Sequence, residues 1–278
     1  MTKSDLEDLE ILDRSLIRRI LSTPNSTPVS ALYLETGCIS IGTIIKARRL
    51  NYLQYLVKLS QEEMLSRFFY CQWLESNQTD WTKQVKVDLV DFNLPEDLEQ
   101  IRKRSIFSWK NIVKKKAKEF ELRNMNTIKE TKNKSKMKEL HYEKLEVQEY
   151  FKTLEVSQAK TLFTFRTRMA QFDGNFKGYG SVDLCPLCGD HSDLQQLCFV
   201  CPVVKEKVGI SEEYGNIFGS KISINLATTI DRIMKIRKKG IGCLQKGPSC
   251  ALLPRGWVLQ AELVHLLFLL CLDKYIYI

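Results

Sequence analysis

The sequence predicts a mainly α-helical protein with a small Cys-rich, zinc-knuckle-like module and an irregular C-terminal tail. Three observations carry this. Apolar residues recur at helical three- and four-residue spacing through most of the chain. Four cysteines fall in seventeen residues, as Cys185-Pro186-Leu187-Cys188 and Cys198-Phe199-Val200-Cys201. After Gly240, Gly, Pro and Cys alternate without period.

The helices can be taken in order. Ser4-Asp5-Leu6-Glu7 reads as a capping box that opens an amphipathic run, with Leu6, Leu9, Leu12, Leu16 and Ile20 on its core stripe. Pro24 and Pro28 end it, Thr27-Pro28 starts a short helix, and Gly37 is its C-cap candidate. Ser40 to Leu59 carries Ile44, Ile45, Leu50, Leu53 and Leu56, with Lys46, Arg48 and Arg49 between them. Ser60-Gln61-Glu62-Glu63 is a second capping box, leading into Met64, Leu65, Phe68 and Phe69. Trp81, Val85, Leu89 and Phe92 form a further stripe. Core packing is the expected role of these stripes.

Leu94-Pro95-Glu96-Asp97 restarts a helix with acids in its first turn. From Ser105, Ile106, Trp109, Val113, Ala117 and Phe120 recur at helical spacing, while Lys110, Lys114 and Lys118 repeat every four residues on another face. Asn124 to Lys138 reads as frayed helix or linker. Met137, Leu140, Leu145, Tyr150, Phe151 and Leu154 suggest another helix. Ser157 then caps one carrying Leu162, Phe163, Phe165, Arg166, Arg168 and Met169. Interleaved aromatics and arginines can clamp a single strand, although such aromatics more often form core. Asp173 to Ser181 is a glycine-rich loop without the GxxxxGK[ST] phosphate-binding pattern. Trp257 to Leu272 is almost wholly apolar but too short for a membrane span, and contains Gln260, Glu262 and His265.

Charge is concentrated in one place. The 278-residue chain has net charge +9. Arg102 to Lys138 holds fourteen Lys or Arg against three Glu, a net of +11, so the remainder is net −2. Like charges at four-residue spacing cost helix stability unless neutralised. A nucleic-acid backbone would neutralise them and release counterions, whereas the alternative is a solvated lysine face. Arg102, Lys103, Arg104, Lys110, Lys114, Lys115 and Lys118 are the phosphate-contact candidates, with Arg166 and Arg168 added from the aromatic stretch.

Two CxxC pairs across a short loop have metal-ligand spacing, since each pair lets two thiolates converge on one tetrahedral ion. His191, inside that loop, offers an imidazole nearby. Disulfides and buried thiols are the alternatives. The charged start Met1-Thr2-Lys3-Ser4-Asp5-Leu6-Glu7 has no secretory apolar segment, so an intracellular, reduced setting in nucleus or cytoplasm is expected, which favours zinc. Cys38, Cys71, Cys243, Cys250 and Cys271 are scattered, as ordinary thiols would be.

Ala31 to Ile41 followed by Ile44 to Leu53 resembles the region after the polymerase core in reverse transcriptases of non-LTR (LINE-type) retrotransposons. Asp80-Trp81, the basic helical stretch, Phe165 to Ala170 and Cys185 to Cys188 continue the resemblance in the same order, over about Leu32 to Ile217. The resemblance implies a helical thumb-like region at 1–93 and a basic helical linker at 94–172. A Cys-rich knuckle at 173–217 and an undetermined tail at 218–278 follow. It also implies a Cys-Cys-His-Cys zinc site, and here the chain departs from the family. Cys185, Cys188 and Cys201 match three ligands, but the histidine position is Leu197. Cys198 is one replacement and His191 another.

Catalysis is not expected. The chain has no Asp-Asp dipeptide for a two-metal polymerase site and no GxSxG or HExxH motif, and it holds three histidines, His141, His191 and His265. The expected function is therefore non-catalytic binding of RNA or DNA through the basic helix and the knuckle. A zinc-stabilised protein-interaction module, and a decayed element with no independent function, are the alternatives.

Overall fold

The computed structural model describes residues 3–75, 80–132, 137, 139–170, 184–185, 187–189, 199–209, 217–218 and 224–244. Among these, eleven helices carry the fold: α1 Lys3–Leu21, α2 Val29–Thr36, α3 Ile41–Lys58, α4 Met64–Leu74, α5 Asp80–Asp91, α6 Leu98–Lys103, α7 Ile106–Lys132, α8 Glu149–Thr153, α9 Val156–Arg166, α10 Pro202–Val208 and α11 Ile224–Leu244. No single helix among the described residues is long and apolar enough to cross a membrane, although the bent pair α2 and α3, at 58° to each other, reaches that length and composition together. The apolar stretch Trp257 to Leu272 lies outside the described residues.

The start and stop signals are local, and several sit where the sequence puts them. Ser40 caps α3 by accepting from Thr43 N–H. Asp97 caps α6 by accepting from Glu99 and Gln100 N–H, so the acids of Leu94 to Asp97 lead into that helix rather than fill its first turn. Gly37 ends α2 at φ 67°, and a Cβ there would lie 2.4 Å from Val147 N. It is glycine for two reasons, left-handed backbone and the close passage of the 146–147 segment.

Other boundaries move. Ser4 lies inside α1 rather than at its cap. Ser60 accepts from Glu62 N–H within a turn, and α4 begins only at Met64. Glu155, not Ser157, precedes α9. The stretch from Asn124, expected as frayed helix or linker, continues α7 as helix to Lys132, where Met125 and Lys129 are buried and Lys129 Nζ donates to Leu140 O at 2.9 Å. Met137, Leu140, Leu145 and Tyr150 are core residues as their pattern suggests, but residues 139–148 are irregular and a helix resumes only at Glu149–Thr153.

Two buried clusters organise these elements. One gathers Ile17, Leu21, the α2 residues Ala31 to Leu34, Met125, Leu140, Leu145, Tyr150, Leu162, Phe163 and Phe165, and extends to Cys185, Phe199, Cys201, Val204 and Ile230. The other gathers Leu50, Leu53, Val57, Phe69, Val85, Leu89, Phe92, Trp109, Val113 and Ala117. Helix α7 belongs to both: its first half packs on α3, where Trp109 Nε1 donates to Leu50 O at 3.1 Å, and Met125 enters the first cluster. At 27 residues it spans about 40 Å. Two expected core stripes face outward instead. Leu9, Leu12 and Leu16 of α1 are exposed while Ile17 and Leu21 are buried, and Met64, Leu65 and Phe68 of α4 are exposed while Phe69 is buried.

The first cluster is built around one charge pair. Glu35 is 0% and Arg166 is 2% exposed. Arg166 Nε donates to both Glu35 oxygens at 3.0 and 3.2 Å, and the Tyr150 and Tyr142 hydroxyls donate to the same carboxylate. Arg166 also stacks over the Tyr150 ring, 5.4 Å from its centroid, and its Nη1 donates to Ile217 O. Gln148 N–H donates to the Glu35 carbonyl. Arg166, expected to face nucleic acid, is therefore a core residue. Burial alone would lower its pKa, but the charge of Glu35 and the two phenols beside it raise the value overall.

Removing one partner strands a buried charge. Arg166→Ala should destabilise by about 3–5 kcal/mol, read as a lowered denaturant midpoint, whereas Arg168→Ala, whose guanidinium pairs with the half-exposed Glu139, should cost far less.

Alkaline pH tests the same cluster. Burial, then the Glu35 charge, raises the Tyr150 phenol well above its ordinary value of 10.0. Burial, then Asp13, does the same to Tyr33. The folded state therefore holds protons that the unfolded chain gives up. Stability is fully present below about pH 10 and falls above it. Urea midpoints measured across this range should show that fall, and Tyr150→Phe should reduce it.

Candidate metal centre and basic surface

Three thiols meet at the edge of the first core cluster. The Sγ atoms of Cys185, Cys188 and Cys201 all lie within 4.8 Å of one another, and Cys185 and Cys201 are 4.0 Å apart. A disulfide would hold two sulfurs at about 2.05 Å, so none of the three is in a disulfide. Around one tetrahedral thiolate-bound zinc, sulfurs stand about 3.8 Å apart. The three are close enough together to hold one metal ion. Cys198 and His191, the candidate fourth ligands, lie outside the described residues, as does Leu197.

Local backbone sets this convergence. Gly189 N–H donates to Cys185 O at 2.9 Å and closes the turn between the first two ligands. Gly189 sits at φ +73° with nothing within 4 Å of a Cβ, so conformation, not space, selects glycine. Cys201 precedes Pro202 and caps α10, with Lys205 N–H donating to its carbonyl at 2.9 Å. Cys185 and Cys201 are buried, Cys188 half-buried. Burial pushes the Cys201 thiol up to about 11, with the Val204 N–H opposing and the Cys188 and Cys185 thiols adding to the rise.

The cluster does not stand apart from the helices. Phe199 packs edge-on against Phe165 of α9, with ring centroids 6.3 Å apart, and Val204 of α10 is buried in the same core. Helix α11 packs on α9 and α10. Arg166, through Ile217 O, joins this region to Glu35.

The basic candidates are distributed along α6 and α7. Lys103, Arg104 and Lys115 are exposed, and Arg102, Lys110, Lys114 and Lys118 are half-exposed. Opposite them, Trp109, Val113 and Ala117 are buried, so the positive side is held against a rigid backing. Of the three acids in the stretch, Glu121 is buried, accepting from Ser40 Oγ and Thr43 Oγ1. Burial raises its pKa. Glu119 pairs with Lys116 at 2.9 Å, a hydrogen bond that lowers its pKa, and Glu130 pairs with Lys129. Two of the three acids thus each offset one lysine of the same stretch, and the third is withdrawn into the core. Lys46 and Arg49 of α3 are held by Asp88 and Asp91 of α5. Arg168 turns back to Glu139 from a left-handed backbone at φ 54°.

These features define a helical protein with a candidate thiol metal centre and a basic helix face. No known family, curated protein or solved structure matches the chain.

The thiol geometry has a direct spectroscopic test. Titrating the reduced full-length chain with Co2+ should develop thiolate-to-metal charge-transfer absorption. Cys201→Ser should abolish it, and Cys71→Ser, at an exposed cysteine outside the cluster, should leave it intact.

Proposed function

We propose that this chain is a non-catalytic nucleic-acid-binding protein, with zinc at the cysteine cluster fastening its C-terminal part to the helical core. The observation that carries this is α7: one 27-residue helix with Trp109, Val113 and Ala117 buried and Lys110, Lys114, Lys115 and Lys118 on its accessible sides. A rigid row of cations suits a phosphate backbone, which gains counterion release from every neutralised phosphate. Arg102, Lys103 and Arg104 extend the row into α6. The resemblance to the thumb and linker of LINE-type reverse transcriptases agrees with such a role.

Zinc would be held by Cys185, Cys188 and Cys201, with Cys198 or His191 completing the set. It would supply a cross-link, not chemistry: binding joins the Cys185 turn to the start of α10 and so stabilises the folded state. Nothing in this reading asks it to activate water or substrate.

A zinc-stabilised protein-interaction module is the second reading. The exposed Met64, Leu65, Phe68 and Leu74 of α4 favour it, since a row of large apolar side chains suits a protein partner.

Binding of a labelled oligonucleotide at several salt concentrations separates the two. The nucleic-acid reading expects log affinity to fall linearly with log salt. Replacing Lys110, Lys114 and Lys118 together by Gln should weaken binding and flatten that slope by about 2–3 units. Salt-insensitive binding, or none, would leave the protein-interaction reading.

A further inference from the structure

The second core cluster ends at the surface in a row of aromatic rings. Trp73 and Phe69 have centroids 5.6 Å apart, Phe69 and Trp81 6.4 Å, and Trp81 and Tyr52 5.9 Å in an edge contact. Tyr52 then meets Tyr55 at 5.8 Å with planes only 21° apart. Phe69 is buried and the tryptophans half-buried, whereas Tyr52 is 46% and Tyr55 54% exposed. The row therefore begins inside the core, which fixes its inner rings, and leaves its last ring open to solvent.

The two tyrosines share one stripe of α3. Arg48, Tyr52 and Tyr55 are spaced by four and three residues, hence on one side of the helix, and all three are exposed. Lys58, one turn beyond Tyr55, is exposed as well. Gln54, the neighbour of Tyr55, donates through Nε2 to Arg104 O at 3.1 Å. This contact places the Arg104 backbone against the buried side of α3. Along the exposed stripe of α3 itself, the two tyrosines lie between the cations Arg48 and Lys58.

We infer that Tyr52 and Tyr55 form a stacking platform for unpaired bases of a single-stranded nucleic acid whose phosphates lie along Arg48 and Lys58. A base continues the ring series from the outer face of Tyr55, because every base offers a π-face to an aromatic side chain. Positive charge on both sides matches the backbone on either side of a stacked base. Paired bases in a duplex have no free face, so the platform selects single strands. This inference rests on the nucleic-acid reading above and assigns the strand type to it.

The test uses the full chain, a labelled single-stranded oligothymidylate, and an abasic oligomer of equal length. Tyr52→Ala combined with Tyr55→Ala should weaken oligothymidylate binding roughly 5- to 150-fold. The salt slope should stay unchanged, because no phosphate contact is removed. Tyr→Phe at both positions should restore affinity, and the abasic oligomer should bind wild type and Ala variant alike. Both side chains are about half exposed, and circular dichroism checks that the Ala variant folds. Unchanged oligothymidylate affinity in the Ala variant would overturn the platform, as would an equal loss on the abasic oligomer. If the lysine substitutions on α7 abolish binding while the Ala variant binds normally, the platform fails and the nucleic-acid reading survives. If wild type binds neither oligomer at any salt concentration, both fail.

Discussion

The fold depends on one buried charge pair, Glu35 with Arg166. The two residues are 131 positions apart, and neither charge reaches water. Ions in such a place are tolerated only when their hydrogen-bonding groups find partners. Here the carboxylate takes the Arg166 Nε, the Tyr142 hydroxyl and the Tyr150 hydroxyl, and the guanidinium also takes Ile217 O. These contacts set where α2, the irregular 139–148 segment, α8, α9 and the Ile217 region stand relative to one another. The cysteine cluster inherits its position from the same arrangement, because Phe199 leans on Phe165, the residue beside Arg166.

Helix α7 is the second constraint. It enters both cores with successive parts of one buried stripe: Trp109, Val113 and Ala117 in one, Met125 in the other. Burial on that side fixes the direction of the remaining sides, so the lysines point outward together. Of the acids in the same stretch, Glu121 is taken into the core by the Ser40 and Thr43 hydroxyls, while Glu119 pairs with Lys116 of the same helix. Packing and charge segregation are therefore one feature. The helix that joins the two cores is also the one that displays the positive face.

Much of this was legible from local pattern. Helical spacing named the buried stripe of α7, and the buried members of α3 and α5. Gly37 was readable as a C-cap, and the CxxC spacing brought Cys185 and Cys188 together with Cys201. The illegible parts have a common cause. On α1 and α4 the apolar periodicity gave a helix, yet Leu12 and Phe68 face solvent because no described element packs there. Leu140 and Leu145 are core residues outside any helix, since burial can be reached by an irregular segment whose backbone bonds elsewhere, as Gln148 does to Glu35 O. The aromatic row on α3, α4 and α5 left no linear motif, because its rings come from separate helices.

The sequence by itself determined the helical class, the buried and charged sides of α7, and the thiol spacing. Each is fixed by residues within a few turns of one another, where chain geometry allows little choice. Only the tertiary structure decided that Arg166 belongs to the core while Arg104 belongs to the surface, that Glu121 is hidden, and that Tyr55 is the open end of a ring series. A charged or aromatic side chain has the same local preferences in either place. What separates the outcomes is a partner brought from far along the chain, and that partner exists only once the helices have packed.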